Sequence, residues 1–204
     1  MTALGAVVVF LMATYPADEY RVASELEKRS FIIGYHWCDD NRIWKHPTNV
    51  VGGDQMITSD DSRLFCQLPR LDTLRFLRCD MSDLNLDEIG NCRKLQIIQC
   101  FDTTQFPVSE LKKLTACPVV YIEVKSKDVH LNDSDLDEFT KFTHLDTLVL
   151  ECDNAGVTDA CLEYFEKIPT LKILRLLGSS ITQEDIEEFK KKRPDIKIYL
   201  KVYY

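Results

Sequence analysis

The chain has 204 residues, 45% of them apolar and 28% charged, which is enough for one domain with a continuous core. A formal net charge of −8 argues against nucleic acid or an anionic lipid surface as the main partner, because both reward a basic surface. Seven glycines and seven prolines leave no flexible linker or low-complexity stretch, so no second domain is expected.

Residues 3–15 are apolar and carry no charge, but a membrane-spanning helix needs about 20 residues. Three readings stay open for residues 1–15: the apolar core of a signal peptide, the remnant of a membrane anchor, or a buried helix. The lack of any periodic polar face favours an incomplete export or anchor segment, which would make the protein exported or membrane-anchored. A buried helix would instead make it cytoplasmic.

Pro16, Asp18 and Glu19 open a helix expected to run to about Arg29, with proline in the first turn and acids at the positive end of the dipole. Val22, Ala23 and Leu26 form its apolar face, and Phe31 to Tyr35 reads as a strand. Residues 16–49 are therefore expected to form a helix-strand cap on the N-terminal end of the remaining chain.

His36, Cys38, Asp39 and His46 bring imidazole, thiol and carboxylate close together in sequence. A metal site or a Cys/His nucleophile would use such groups, but the spacing lacks paired ligands, and a turn with one buried cysteine fits better. Among recognisable catalytic motifs, no phosphate-binding loop, dinucleotide fingerprint, zinc-protease helix or nucleophile elbow occurs. Asp133, Asp135, Asp137 and Glu138 lack the glycine of a calcium loop and fit the first turns of a helix capped by Asn132. No catalytic residue, metal or cofactor is expected.

From residue 50 onward one unit recurs. Leu171, Leu174 and Leu176 lead through a turn to Ile181, Thr182 and a helical spacing. Leu145, Leu148 and Leu150 stand 26 residues earlier, and Val119, Ile122 and Val124 another 26. Leu95, Ile98 and Cys100, then Leu71, Leu74 and Phe76, precede these at steps of 24. A second anchor, Ile57, Met81, Leu131 and Val157, lies 14 residues before the next repeat's first leucine-type position, so the phase holds along the chain. Thr58, Ser82, Asn132, Thr158 and Thr182 directly follow these anchors or Ile181 and are expected to cap five helices. The repeat carrying Pro107 and Ser109 lacks the signal, so its outer segment is expected to be irregular, with a short helix near Ser109 to Leu114. Near the C-terminus, acids from Glu184 to Glu188 precede bases from Lys190 to Arg193, with Glu187–Lys191 and Glu188–Lys192 in pairing positions on a solvated helix. Ile196, Ile198 and Leu200 alternate as a last strand.

This pattern resembles the leucine-rich repeat family over residues 50–200. Cys92 and Cys117 before strands and Cys79 after one are similar to the cysteine-containing subtype, with Asp153 and Ser179 at two further post-strand places. The closing segment is similar to short bacterial repeat proteins. The resemblance implies an α/β solenoid over residues 50–204, with a parallel sheet on the concave face, helices on the convex face and a C-terminal cap. Reduced thiols packed as small hydrophobes are the default for the cysteines, and a bridge such as Cys92 to Cys117 becomes available if the chain is exported.

Because strand side chains alternate, the residues between the leucine-type anchors point away from the core. They form three columns: Thr73, Ile97, Tyr121, Thr147 and Ile173; Arg75, Gln99, Glu123, Val149 and Arg175; Leu77, Phe101, Lys125, Glu151 and Leu177. Their apolar members exceed what solubility needs, and an exposed apolar patch marks a binding site. The expected function is non-catalytic binding of a protein partner on this face. The site is taken as Arg75, Leu77, Ile97, Gln99, Phe101, Tyr121, Glu123, Lys125, Val149, Glu151, Ile173, Arg175 and Leu177. A structural subunit of a larger complex, or an enzyme using His36, Cys38, Asp39 and His46, are the alternatives.

Overall fold

The computed structural model describes residues 17–37, 45–177 and 179–201. The expectations for residues 1–15, and for Cys38 and Asp39, fall outside these. Helix α1 (Ala17–Lys28) carries Asp18 and Glu19 in its first turn and buries Val22, Ala23 and Leu26. It stops where Ser30 takes a left-handed φ of 68°, which lets the Phe31 N–H reach back to the Leu26 carbonyl.

Strand β1 (Ile32–Trp37) pairs antiparallel with β2 (Lys45–Gly53). From β2 onward every neighbour is parallel and in sequence order: β3 (Thr73–Leu77), β4 (Ile97–Phe101), β5 (Tyr121–Asn132), β6 (Thr147–Gly156), β7 (Ile173–Leu177) and β8 (Lys197–Lys201). Parallel neighbours need a crossover, and each is supplied by a helical return on the other side of the core. The returns are α2 (Ser59–Phe65), α3 (Leu86–Ile89), a 3₁₀ helix (Val108–Leu114), α4 (Asp133–Leu136) running into a second 3₁₀ helix, α5 (Leu162–Glu166) after a short 3₁₀ turn, and α6 (Gln183–Lys192).

Local chemistry sets where these returns begin. Thr58, Asn132 and Thr182 each form a capping box with an aspartate three residues on: Asp61, Asp135 and Asp185. Thr158 accepts from the Ala160 N–H. Ser82 is not a cap. Asn85 takes that place, accepting from the N–H groups of Asp87 and Glu88, because Asp80 holds the Ser82 N–H in a turn and delays the helix. The return after Pro107 is the short irregular helix its sequence implies.

Asp54, Arg78 and Asp102, each directly after a strand, have φ between 50° and 55°. This turn aims each N–H at a carbonyl of the next strand, those of Leu77, Phe101 and Lys125. At α3 the neighbouring return comes so close that a Cβ on Gly90 would stand 2.4 Å from the Lys113 carbonyl oxygen.

One core runs the length of the stack. Leu74, Ile98, Ile122, Leu148 and Leu174 are register partners and all are buried. Phe65 lies edge-on to Phe31, with ring centroids 5.2 Å apart, and 6.1 Å from Phe76, so it joins the N-terminal cap to the first repeats. Asn154 is fully buried inside β6, where its Nδ2 donates to the carbonyls of Leu150 at 3.2 Å and Leu177 at 2.6 Å, beside the irregular β5–β6 register beyond Ser126.

Cys66 and Cys92 form a disulfide with Cα atoms 5.0 Å apart and Cys117 is free, so two of the cysteines expected to be reduced are paired, and Cys92 bridges Cys66 rather than Cys117. The reason is local. Cys92 lies three residues before its strand anchor Leu95 but Cys117 only two before Val119, and the Cys117 Sγ faces the carbonyls of Ile89 and Gly90 at 3.6 and 3.5 Å. Lys192 does not pair within its own helix: it reaches Glu166 of α5 at 2.7 Å. Arg193 donates to the carbonyls of Glu166, Ile168 and Leu171, tying the last return to the one before it.

Candidate functional site

The three columns read from the sequence are register partners on the strand face. They extend at both ends, through Asn49, Val51 and Gly53 of β2 and through Lys197 and Tyr199 of β8. This face is built mainly from a chain of polar contacts. Arg75 donates through Nε and Nη2 to Gln99 Oε1, at 2.9 and 2.6 Å. Gln99 Nε2 donates to Glu123 Oε2 at 2.6 Å, and the Tyr121 hydroxyl donates to the same oxygen at 2.9 Å. Lys125 bridges Glu123 at 2.9 Å and Glu151 at 3.4 Å, and Arg175 reaches Glu151 at 3.6 Å. The network therefore crosses five strands, β3 to β7, without a gap.

Electrostatics favour this arrangement. Burial works to raise the Glu123 carboxyl, but donations from Lys125, Gln99 and Tyr121 outweigh it and hold the group below the usual carboxylate range. The bond to Glu123 raises the Lys125 ammonium. Burial, followed by the hydrogen bond to Glu123, pushes the Tyr121 phenol up to about 12, so it stays a neutral donor.

The apolar members contribute less open surface than the sequence suggested. Val149 and Leu177 are buried, while Leu77, Ile97, Phe101, Tyr121 and Ile173 are half-buried. Cations lie over two of the rings: Lys125 Nζ is 5.8 Å from the Phe101 centroid and the Arg175 guanidinium 5.5 Å from that of Tyr199. Among the described residues the exposed large hydrophobic ones are Ile32, Met56 and Tyr199. An open groove of about 220 Å³ lies between Glu151, Arg175, Leu177, Tyr199 and Leu200. Tyr199 was legible as the next member of the second column, 24 residues after Arg175, since Ile196, Ile198 and Leu200 already marked its strand.

His36 and His46 are cross-strand partners, and His46 Nδ1 bonds Glu19 Oε2 at 2.9 Å in the cap. Among the described residues no group of three or more His, Cys, Asp or Glu is placed to hold a metal ion. Burial pushes the Cys152 and Cys161 thiols up to about 12, and the Cys100 thiol higher, so at neutral pH they serve packing rather than attack. Among the described residues no helix is long and apolar enough to cross a membrane.

No protein-family model and no curated sequence matches the chain. Solved structures similar to it include an internalin, InlF, from Listeria monocytogenes, with 16% identity and a TM-score of 0.47 over 76% of this chain and 41% of that one. A leucine-rich repeat protein from Leptospira interrogans is similar at 18% identity and a TM-score of 0.47, over 67% of this chain and 33% of that one. The leucine-rich repeat ectodomain of the receptor kinase SOBIR1 from Arabidopsis thaliana gives 9% and 0.37 over 90% and 91%. The chain thus spans less than half the length of the first two. Parallel strands recurring every 24 or 26 residues, linked by helical returns over one shared core, give this chain the fold of a leucine-rich repeat solenoid.

Proposed function

We propose that the chain is a non-catalytic interaction module that holds a partner protein on its strand face. The observation that carries this reading is the polar network from Arg75 to Arg175, a stiff surface fixed by the repeat register and bordered by half-buried Ile97, Phe101 and Ile173. Side chains already held by hydrogen bonds lose little freedom on docking, which favours affinity. Nothing in this network is poised for a covalent step, since its phenol is neutral and its carboxylates are engaged by cations.

Replacing Phe101 and Tyr121 together by serine should leave the circular dichroism spectrum of the folded chain in place and abolish partner capture from lysates of the source cells. Replacing Glu187 and Lys190 on α6 by serine should leave capture intact. Recovery of the same proteins by the Phe101/Tyr121 variant would place the contact elsewhere.

A further inference from the structure

We propose that the occupant of the strand face is an extended acidic segment of a protein, lying across the strands with carboxylates seated at Arg75 and Arg175. The proposal rests on the strand-face reading above and adds the chemistry of the partner.

The charge on this face is opposite to that of the whole chain. Within the three columns the described charged side chains are the bases Arg75, Lys125, Arg175 and Lys197 and the acids Glu123 and Glu151. The face is therefore net positive in a protein of net charge −8. What an approaching molecule meets is more positive still, because the acids lie deeper. The Glu123 and Glu151 side chains are 8% and 22% exposed, against 33% for Lys125 and 41% for Arg175. Glu123 stays an anion, but its charge is buried and held by the Lys125 ammonium and two neutral donors, so it repels an approaching anion less than an open carboxylate would. Arg75 rests on the neutral Gln99 amide, so its cationic charge is not cancelled by that contact.

Geometry selects the form of the ligand. Arg75 on β3 and Arg175 on β7 belong to one column and are separated by four strand steps, roughly 19 Å at about 4.8 Å per step. An extended chain covers that distance in about six residues at roughly 3.3 Å each. The rows on either side carry Ile97 and Ile173, and Leu77 and Phe101, half-buried surfaces that suit apolar residues between the two acids. The groove of about 220 Å³ between Arg175 and Tyr199 accepts one such end. A nucleic acid or an anionic membrane fits less well, because the net charge of −8 repels a polyanion once it extends beyond this face.

The test selects a phage-displayed library of random dodecapeptides on the immobilised chain and measures the enriched peptides by fluorescence anisotropy. Enriched peptides should carry two acids about six residues apart. They should bind roughly two- to fivefold more weakly to each of the Arg75→Ala and Arg175→Ala variants, the size of one partly exposed charge pair. Binding should also weaken as salt rises. The control Lys190→Ala on α6 should change affinity less than twofold. Enriched peptides that are neutral or basic, yet lose binding to the Phe101/Tyr121 serine variant, would overturn the acidic assignment and keep the strand-face reading. Peptides indifferent to all of these variants would overturn both, as would a library that yields no binder while a single-stranded oligonucleotide or anionic vesicles do bind.

Discussion

Phe65→Ala is expected to destabilise the chain by about 3–5 kcal/mol, the range for removing a fully buried aromatic ring. The loss should not be spread evenly. In a repeat stack each unit rests mainly on its neighbours, so stability divides into units and the interfaces between them. Phe65 packs edge-to-face on Phe31 of the cap and lies beside Phe76 of β3, so its removal opens the interface between cap and stack. Hydrogen exchange should then show α1, β1 and β2 losing protection first while β5 to β7 stay protected. The matching deletion Phe165→Ala, equally buried in α5, should reverse this order. Equal loss of protection throughout in both variants would mean that the chain unfolds as one indivisible unit.

Reduction of the Cys66–Cys92 bridge is expected to cost roughly 3.5 kcal/mol, following the loop-entropy relation for a cross-link between residues 26 apart. The bridge joins the end of α2 to the turn after α3, so it staples two adjacent returns at the same end of the stack that Phe65 supports. The denaturation midpoint of the purified chain should fall on adding reductant. Alkylation followed by mass spectrometry should find Cys66 and Cys92 newly modified after reduction. The buried Cys100 and Cys161 should react only on unfolding. A midpoint unmoved by reductant, with both cysteines already alkylated in the untreated protein, would contradict the bridge.

The sequence carried the repeat architecture because period and phase are written in residue type. Leucine-type anchors at steps of 24 and 26 fix which side chains enter the core, and strand alternation then places Arg75, Gln99, Glu123, Val149 and Arg175 in one column. The network on that column was not legible in this way. Its continuity depends on the Gln99 amide turning its oxygen to Arg75 and its nitrogen to Glu123, a rotamer choice that no spacing encodes. The burial of Val149 and Leu177 escaped for a related reason: pattern gives the direction of a side chain but not how far long neighbours fold over it. Asn85 marks a place where a local turn moved the cap by three residues from its periodic position at Ser82. The bridge partner of Cys92 depended on the same kind of offset.

The strand-face assignment is tested most directly by amide chemical-shift mapping of the isotopically labelled chain, titrated with its captured partner or with an enriched acidic peptide. Perturbations should concentrate at Arg75, Gln99, Phe101, Tyr121, Lys125 and Arg175, with α2, α5 and α6 unmoved. Perturbations concentrated on those helices, with the strand-face amides unshifted at saturation, would contradict it.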